Sequence, residues 1–132
     1  MKITIKNSKK NESVTTGSVV WADKALVGEY TWDEALEAAK NIPGWRLPTL
    51  EDFWEGLEAL GATYDKNYQY YRDADKFWYA LGNKDSFYWT ADEYGDSGNR
   101  AYAFGVGEKD TSEAFFYDMN KQGKCSVRLV KE

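Results

Sequence analysis

The stretch that decides the fold is Gly44-Trp45-Arg46-Leu47-Pro48-Thr49, six residues that stand between two helix signals. Leu47 precedes a proline and therefore avoids the helical region, so the middle of the stretch is predicted to be extended. Thr49 is a typical helix N-cap, because its hydroxyl can accept a hydrogen bond from an amide of the first turn. The stretch thus predicts a short extended connection that leads the chain into a helix.

Both flanking segments predict helices. Upstream, Thr31-Trp32-Asp33-Glu34 has the spacing of a capping box, and apolar residues follow on one helical face until Pro43-Gly44 end the helix. Downstream, Glu51 and Asp52 fall in the first turn, where the helix dipole favours acidic side chains, and Gly61 is the predicted stop. The apolar stripe of this second helix is Leu50, Phe53, Trp54, Leu57 and Leu60.

The rest of the chain predicts extended segments around one irregular region. Ile3 and Ile5 alternate with polar residues, which is typical of a strand with one buried face, and residues 14–21 form a second extended stretch. Residues 62–86 have no clear periodicity, although Asp75–Leu81 predicts a short helix. The last third predicts strands at 87–90, 100–106, 113–119 and 125–131.

The length and the order of elements predict one α+β domain. The chain has 132 residues, and no linker, repeat or low-complexity segment divides it, so residues 1–132 are expected to share one core. Helices segregated from a meandering antiparallel sheet indicate the α+β class. The six Trp, ten Tyr and six Phe residues are enough large aromatics for a substantial core in a chain of this size.

The composition excludes several functional classes. Seventeen Lys and Arg stand against 22 Asp and Glu, and this net charge of -5 argues against nucleic acid or an anionic membrane as the main partner. The chain has no histidine, which excludes Ser-His-Asp and Cys-His nucleophiles and His-ligated metal. Cys125 is the single cysteine, so an internal disulfide is impossible and a cysteine-based zinc site is not expected.

Targeting signals are not found in the sequence. The first residues lack the apolar run of a signal peptide, and no stretch approaches the ~20 apolar residues of a membrane span. We therefore expect no membrane insertion. Cytoplasmic synthesis, release in a virion and a chain shown without its leader all remain open, although a Met at position 1 favours the first two.

Five motifs occur in order along the chain. They are Trp21-Ala22-Asp23, then residues 30–35, the deciding stretch, residues 88–94 and finally 126–130. This pattern resembles the DUF1566 family, also called the Lcl C-terminal domain family, and its relatives, the Fibrobacter succinogenes major paralogous domains. The resemblance implies a C-type lectin-like fold, with two helices flanking a looped antiparallel β-sheet. It also implies a binding rather than a catalytic role, usually in adhesins and in surface or phage-associated proteins.

The chain departs from that family in two places. Many relatives carry a cysteine in the first helix and another after the terminal arginine, where this chain has Leu129, so it resembles a disulfide-free version of the domain. Residues 62–86 also lack the Leu-Pro-Ala-Ala-Gly segment that is common in relatives. We expect this region to have a shape and a task of its own.

The cations and tryptophans of the motifs favour structural roles. Arg46 and Arg128 each carry a guanidinium with five donors, which can tie loop carbonyls and a carboxylate together. Trp21, Trp45 and Trp89 are predicted to be core aromatics.

Two groups of residues form the candidate ligand-binding surface. Tyr, Asn, Ser, Asp and Gly make adaptable contact surfaces, and aromatic faces stack on sugars. The loop group is Asp92, Glu93, Tyr94, Asp96, Asn99 and Arg100, and the cluster group is Tyr68, Tyr70 and Tyr71, with Tyr64 beside it. The alternatives are a solvated connection for the loop and a roof over a small core for the tyrosines.

Metal binding and catalysis find little support. Calcium-dependent sugar binding uses Glu-Pro-Asn or Gln-Pro-Asp and Trp-Asn-Asp, and none of these triplets is present. Calcium needs several oxygen ligands at one point, and the candidates that one loop offers are Asp92, Glu93, Asp96, Ser97 and Asn99. Such residues are more often solvated. The formylglycine-generating enzymes share a related fold but need two cysteines, so we expect no metal, no cofactor and no enzyme activity.

Two functions remain in competition. The first is a non-catalytic ligand-binding or adhesion module that recognises a glycan or a protein surface, without calcium. The second is a structural or assembly protein of a phage virion or a similar particle, whose partner is a second copy or another virion component. The lack of a leader and of disulfides favours the second somewhat.

Overall fold

The computed structural model describes residues 13–67, 69–81, 87–96, 98–106 and 112–132. Within these ranges the chain has three helices and two antiparallel sheets. The helices are α1 (Trp32–Lys40), α2 (Leu50–Ala59) and α3 (Asp75–Leu81). The strands are β1 (Val14–Thr16), β2 (Val19–Trp21), β3 (Trp45–Arg46), β4 (Thr63–Asp65), β5 (Tyr70–Arg72), β6 (Tyr88–Glu93), β7 (Arg100–Val106), β8 (Ala114–Asn120) and β9 (Val130–Lys131). The predicted strand at Ile3 and Ile5 lies outside the described residues. None of the helices in these ranges has the length and apolar content that crossing a membrane requires.

Both helices predicted beside the deciding stretch form, and each begins with a capping box. At α1 the Thr31 hydroxyl accepts a hydrogen bond from the Glu34 amide, and the Glu34 carboxylate accepts one from the Thr31 amide at 2.9 Å. Thr49 and Asp52 repeat this arrangement at α2, where the Thr49 amide donates to the Asp52 carboxylate at 2.8 Å. After α2, Gly61 takes a φ of +94°, which suits a glycine stop.

The α+β prediction is confirmed, but the expectation of two helices and one sheet is too simple. The segment predicted as a short helix is α3, and its buried residues are Phe77, Trp78 and Leu81. A separate four-stranded sheet of order β1-β2-β9-β3 forms because β9 pairs with β2 and β3 instead of joining the larger sheet. Val130 lies opposite both Trp21 and Arg46, so the deciding stretch pairs with the last strand.

The larger sheet has the order β4-β5-β8-β7-β6. Its centre is the β7–β8 pair, which stays in register from Arg100 opposite Asn120 to Val106 opposite Ala114. β6 runs beyond the predicted end of this strand, because Glu93 still pairs with Ala101 after a register shift. Asp92 and Glu93, which the sequence analysis placed in a loop, therefore belong to a strand.

Each face of the larger sheet carries a hydrophobic core, where the sequence predicted one core. Successive residues of a strand point to opposite faces. On one face Phe104 packs with α2 and α3, and its ring is 4.4 Å from that of Phe53. On the other face Ala103 packs with Trp32 of α1 and with Trp89. The helices α1 and α2 thus lie on opposite faces of this sheet.

The motif arginines have the structural roles that the sequence predicted. Arg128 is 3% exposed and donates to the carbonyls of Ala22, Asp23 and Leu81 at 2.7, 3.0 and 2.6 Å. Arg46 donates to both carboxylate oxygens of Asp52 at 2.6 and 3.2 Å. The tryptophan predictions agree in part, because the fully buried ones are Trp21 and Trp89, whereas Trp45 is half-buried at the margin of the second core.

Candidate functional site

An open pocket of about 460 Å³ lies where α2 meets the larger sheet. Its volume falls in the range of ~300–1,000 Å³ that is typical of small-molecule sites. We call it the aromatic pocket, and its lining residues are Leu50, Trp54, Tyr64, Gln69, Tyr71, Tyr102 and Phe116. Five of these seven side chains are aromatic and none is charged.

The secondary structure explains why these side chains converge. Leu50 and Trp54 are four residues apart on α2 and so lie on one face of the helix. Tyr64 is directly opposite Tyr71 in the β4–β5 hairpin, which places both rings on the same face of the sheet. Tyr71 in turn pairs with Ala114 of β8. Phe116 lies two residues further along β8 and therefore shares this face of the sheet.

The aromatic rings of the pocket form inclined walls. The rings of Trp54 and Phe116 are 6.4 Å apart at 83°, and those of Tyr71 and Phe116 are 6.4 Å apart at 74°. The rings of Tyr64 and Tyr71 are 5.2 Å apart at 57°. Trp54 is 39% exposed and Tyr64 is 49% exposed, so a ligand can reach both side chains. The arrangement encloses a space from several sides and is not a flat platform.

Gln69 supplies the amide side chain of the pocket. Its φ is +60°, a left-handed conformation that is uncommon for a residue other than glycine and that is found at functional sites. The turn that holds it is closed by its own amide, which donates to the Asp65 carbonyl at 2.7 Å. The fold therefore accepts a strained residue where glycine would be easier, and that residue lines the pocket.

Two carboxylates contact the lining residues from behind. The Tyr71 hydroxyl donates to Glu58 at 2.9 Å, and burial together with that carboxylate raises the pKa of Tyr71 above its usual range. The Leu50 amide, at the N-terminus of α2, donates to Asp92 at 2.6 Å. The pocket thus combines a neutral aromatic lining with negative charge at its margin.

Four of the predicted loop residues form two sets. Asp92 and Tyr94 contact residues that line the pocket. Asp92 accepts a hydrogen bond from the Leu50 amide, and the Tyr94 ring lies 5.2 Å from the Tyr102 ring at 80°. The other set makes ion pairs, since Glu93 pairs with Lys121 and Arg100 pairs with Asp118 at 3.0 Å. Asp96 and Asn99 are exposed, and Ser97 lies outside the described residues.

The predicted tyrosine cluster is divided by the sheet. Tyr71 and Tyr64 line the aromatic pocket, whereas Tyr70 points to the opposite face and stacks on Phe115 at 5.0 Å. Neighbouring residues of one strand must separate in this way. Tyr68 lies outside the described residues. Ligand contact by these residues stays a prediction, and the structure groups two of the four tyrosines.

Several pocket residues lie outside the binding surface that the sequence predicts. Trp54 was assigned to an apolar stripe, yet its helix turns it to the margin of the core. The other pocket residues that the sequence did not predict as ligand contacts are Leu50, Gln69, Tyr102 and Phe116. The one available signal was the alternation of β7 and β8, which identifies the residues that share a face. The pairing of β5 with β8 brings Tyr71 and Phe116 together, and no local sequence pattern predicts it.

The described part of the chain offers neither a cluster of metal ligands nor a reactive thiol. No three carboxylate or cysteine side chains among these residues lie together in a way that could hold a metal ion. Cys125 is buried, and burial raises the pKa of its thiol to about 12, which keeps the sulfur protonated and unreactive. No family model, curated protein or solved structure matches this chain.

Proposed function

We propose that this chain is a C-type lectin-like domain of the DUF1566 kind and that it binds a glycan or protein ligand in the aromatic pocket without catalysing a reaction. The observation that carries the proposal is the pocket itself, an open space of about 460 Å³ with exposed aromatic rings at its mouth. Exposed aromatic side chains that the core does not need are typical of binding surfaces.

The motif residues support the fold assignment. The two most specific motifs of the resemblance contain Arg46 and Arg128, and both arginines make contacts that hold separate elements together. The family implies two helices that flank an antiparallel sheet, and α1 and α2 pack on opposite faces of one. Motifs that specify a fold rather than a reaction fit a binding role.

The pocket chemistry supports binding rather than catalysis. Its polar groups are tyrosine hydroxyls and one amide. The Tyr71 hydroxyl has a carboxylate partner in Glu58, but its pKa is raised above the usual range, which does not activate it as a nucleophile. No lining residue carries a charge, so recognition in the pocket depends on aromatic contact and hydrogen bonds. We therefore propose binding that does not require calcium.

The test is a binding screen on glycan and peptide arrays, with and without EDTA. The purified chain is compared with Trp54→Leu and Tyr64→Leu, which remove exposed rings of the pocket. Tyr79→Leu is the matched control, because Tyr79 is 90% exposed on α3 and does not line the pocket. Capture that EDTA leaves unchanged and that only the pocket variants lose supports the proposal.

Three results would contradict it. Capture that Trp54→Leu and Tyr64→Leu retain would place the ligand elsewhere, and loss in EDTA would remove the calcium-independent version. The third is an absence of capture on both arrays, combined with an obligate oligomer in size-exclusion chromatography with light scattering. That result would favour the assembly function instead.

A further inference from the structure

We infer that the ligand group held in the aromatic pocket is a trimethylated lysine side chain on an extended segment of a protein partner. This inference rests on the function proposed above and names the ligand of the same site. It follows from the ring geometry, the charge around the pocket, the hydrogen-bonding groups of the lining and the strand beside the pocket.

The ring geometry suits a cation. A cation is attracted to the face of an aromatic ring within about 6 Å of the ring centroid, and several rings around one point form an aromatic cage. Phe116 stands at a steep angle to both Trp54 and Tyr71, with interplanar angles of 83° and 74°. Tyr64 adds a fourth ring beside Tyr71. Rings that line one pocket at different inclinations form its walls on several sides, whereas a sugar ring stacks best on one flat face.

The charge around the pocket has the matching sign. Glu58 accepts a hydrogen bond from the Tyr71 hydroxyl, and Asp92 accepts one from the Leu50 amide, so two carboxylates contact lining residues. Of the nearby cations, Arg72 pairs with Asp65 at 3.6 Å and Arg100 with Asp118 at 3.0 Å, and Lys66 in the β4–β5 turn is exposed to solvent, which screens its charge. An anionic group would meet repulsion here and a cation would be attracted.

The lining distinguishes a methylated ammonium from a free one. A lysine ammonium has three donors and is strongly hydrated, so its transfer into the pocket requires acceptors to replace water. The lining offers the Gln69 amide oxygen and tyrosine hydroxyls, of which that of Tyr71 already binds Glu58. A trimethylammonium has no donor and a large apolar surface, and aromatic faces satisfy it without hydrogen bonds.

The strand beside the pocket points to a peptide. Among the described residues β4 pairs with β5 alone, so it is an edge of the larger sheet. Such an edge presents backbone donors and acceptors to which an extended peptide can add as a further strand. Tyr64 lies in the middle of β4 and lines the pocket, so a segment along this edge passes the pocket mouth.

The test is a titration of the isotope-labelled chain, followed by NMR, with a short peptide that carries trimethyl-lysine. Three probes accompany it: the same peptide with unmodified lysine, the same peptide with the neutral tert-butyl analogue of trimethyl-lysine, and phosphocholine. We expect the trimethyl-lysine peptide to bind about tenfold more tightly than the neutral analogue, since the two differ only in the charge that the rings attract. Shifts should centre on the pocket residues and β4.

Variants separate the contributions. Trp54→Leu and Tyr64→Leu should remove the preference for the charged peptide, whereas Tyr64→Phe should retain it, because the ring face and not the hydroxyl attracts the cation. Glu58→Gln should weaken binding several-fold while it keeps an acceptor for Tyr71. Tyr79→Leu should bind like the unmodified chain. Thermal unfolding of each variant establishes that the exposed substitutions leave the fold intact.

Several outcomes would overturn the inference. Equal binding of the neutral analogue means an apolar pocket without cation recognition, and tighter binding of phosphocholine means a headgroup rather than a protein. If a neutral glycan or an unmodified peptide binds and requires Trp54 while the trimethyl-lysine peptide does not bind, the proposed binding function stands. The inference of a trimethyl-lysine ligand then fails. If no probe and no array ligand responds to the pocket variants, both proposals fall together.

Discussion

Arg128 offers the most direct test of how the fold is held together. Its guanidinium is 3% exposed and donates to three carbonyls, those of Ala22, Asp23 and Leu81. In Arg128→Met the side chain keeps much of its volume and loses every donor. The buried carbonyl of Leu81 and the part-buried carbonyls of Ala22 and Asp23 then lose this partner, which joins the segment after β2 to the end of α3.

The expected magnitude follows from these contacts. Hydrogen bonds to a charged group contribute about 1.5–3 kcal/mol each. Burial lowers the pKa of Arg128 because the charge loses its hydration, and removal of that desolvation cost offsets part of the loss. We expect Arg128→Met to lower the free energy of unfolding by about 3–5 kcal/mol, a large part of the ~5–15 kcal/mol that holds a typical domain.

The assay is urea unfolding followed by tryptophan fluorescence and circular dichroism. Arg100→Met is the matched control, because Arg100 pairs with Asp118 at the surface and should contribute less than about 1 kcal/mol. Arg128→Lys keeps the charge on a single nitrogen and should fall between the two, so the series remains measurable if the Met variant does not fold. Equal losses for Arg128→Met and Arg100→Met would refute the reasoning.

Three further predictions follow from other parts of the structure. Gly56→Ala should destabilise α2 by about 1–3 kcal/mol in thermal unfolding, although alanine is the better helix former, because the added Cβ would meet Phe77 at 2.7 Å; a gain in stability would contradict this. Burial acts to raise the pKa of Asp52, but Arg46 and the helix cap overcome it and hold that pKa below its usual value, so stability should be present above about pH 4 and fall as pH drops below it. Asp52→Asn should flatten that fall, and an unchanged slope would argue against the pairing. The Cys125 thiol, with a pKa of about 12, should resist a thiol reagent at about pH 8 until the chain is unfolded, and rapid labelling of the folded protein would show that the site opens.

The sequence predicted the local features of the fold well. Helix caps involve residues within three positions of each other, so the capping box at Thr31 and the N-cap at Thr49 predicted both helix starts correctly. Pro48 likewise predicted the extended connection before α2. Each of these signals depends on neighbours in the chain, and no distant contact is needed to interpret it.

The site was harder to predict because it depends on strand pairing. Tyr70 and Tyr71 are adjacent in sequence, yet the pleat places them on opposite faces, and a cluster inferred from composition cannot show this. Phe116 joins Tyr71 only because β8 pairs with β5 across a long separation. The strand end at Glu93 depends on a register shift against β7, which also has no local signature.

The placement of β9 between β2 and β3 has a consequence for how the chain folds. Arg128 reaches back 105 and 106 positions to Asp23 and Ala22, and the Ala22 amide donates to the Leu129 carbonyl. Contacts of such long sequence separation must close large loops, which slows folding. The four-stranded sheet therefore cannot assemble until nearly all of the described chain has been synthesised. During translation, the β2 strand and its Trp21 side chain therefore remain without their neighbour β9 until the end of the described chain is made.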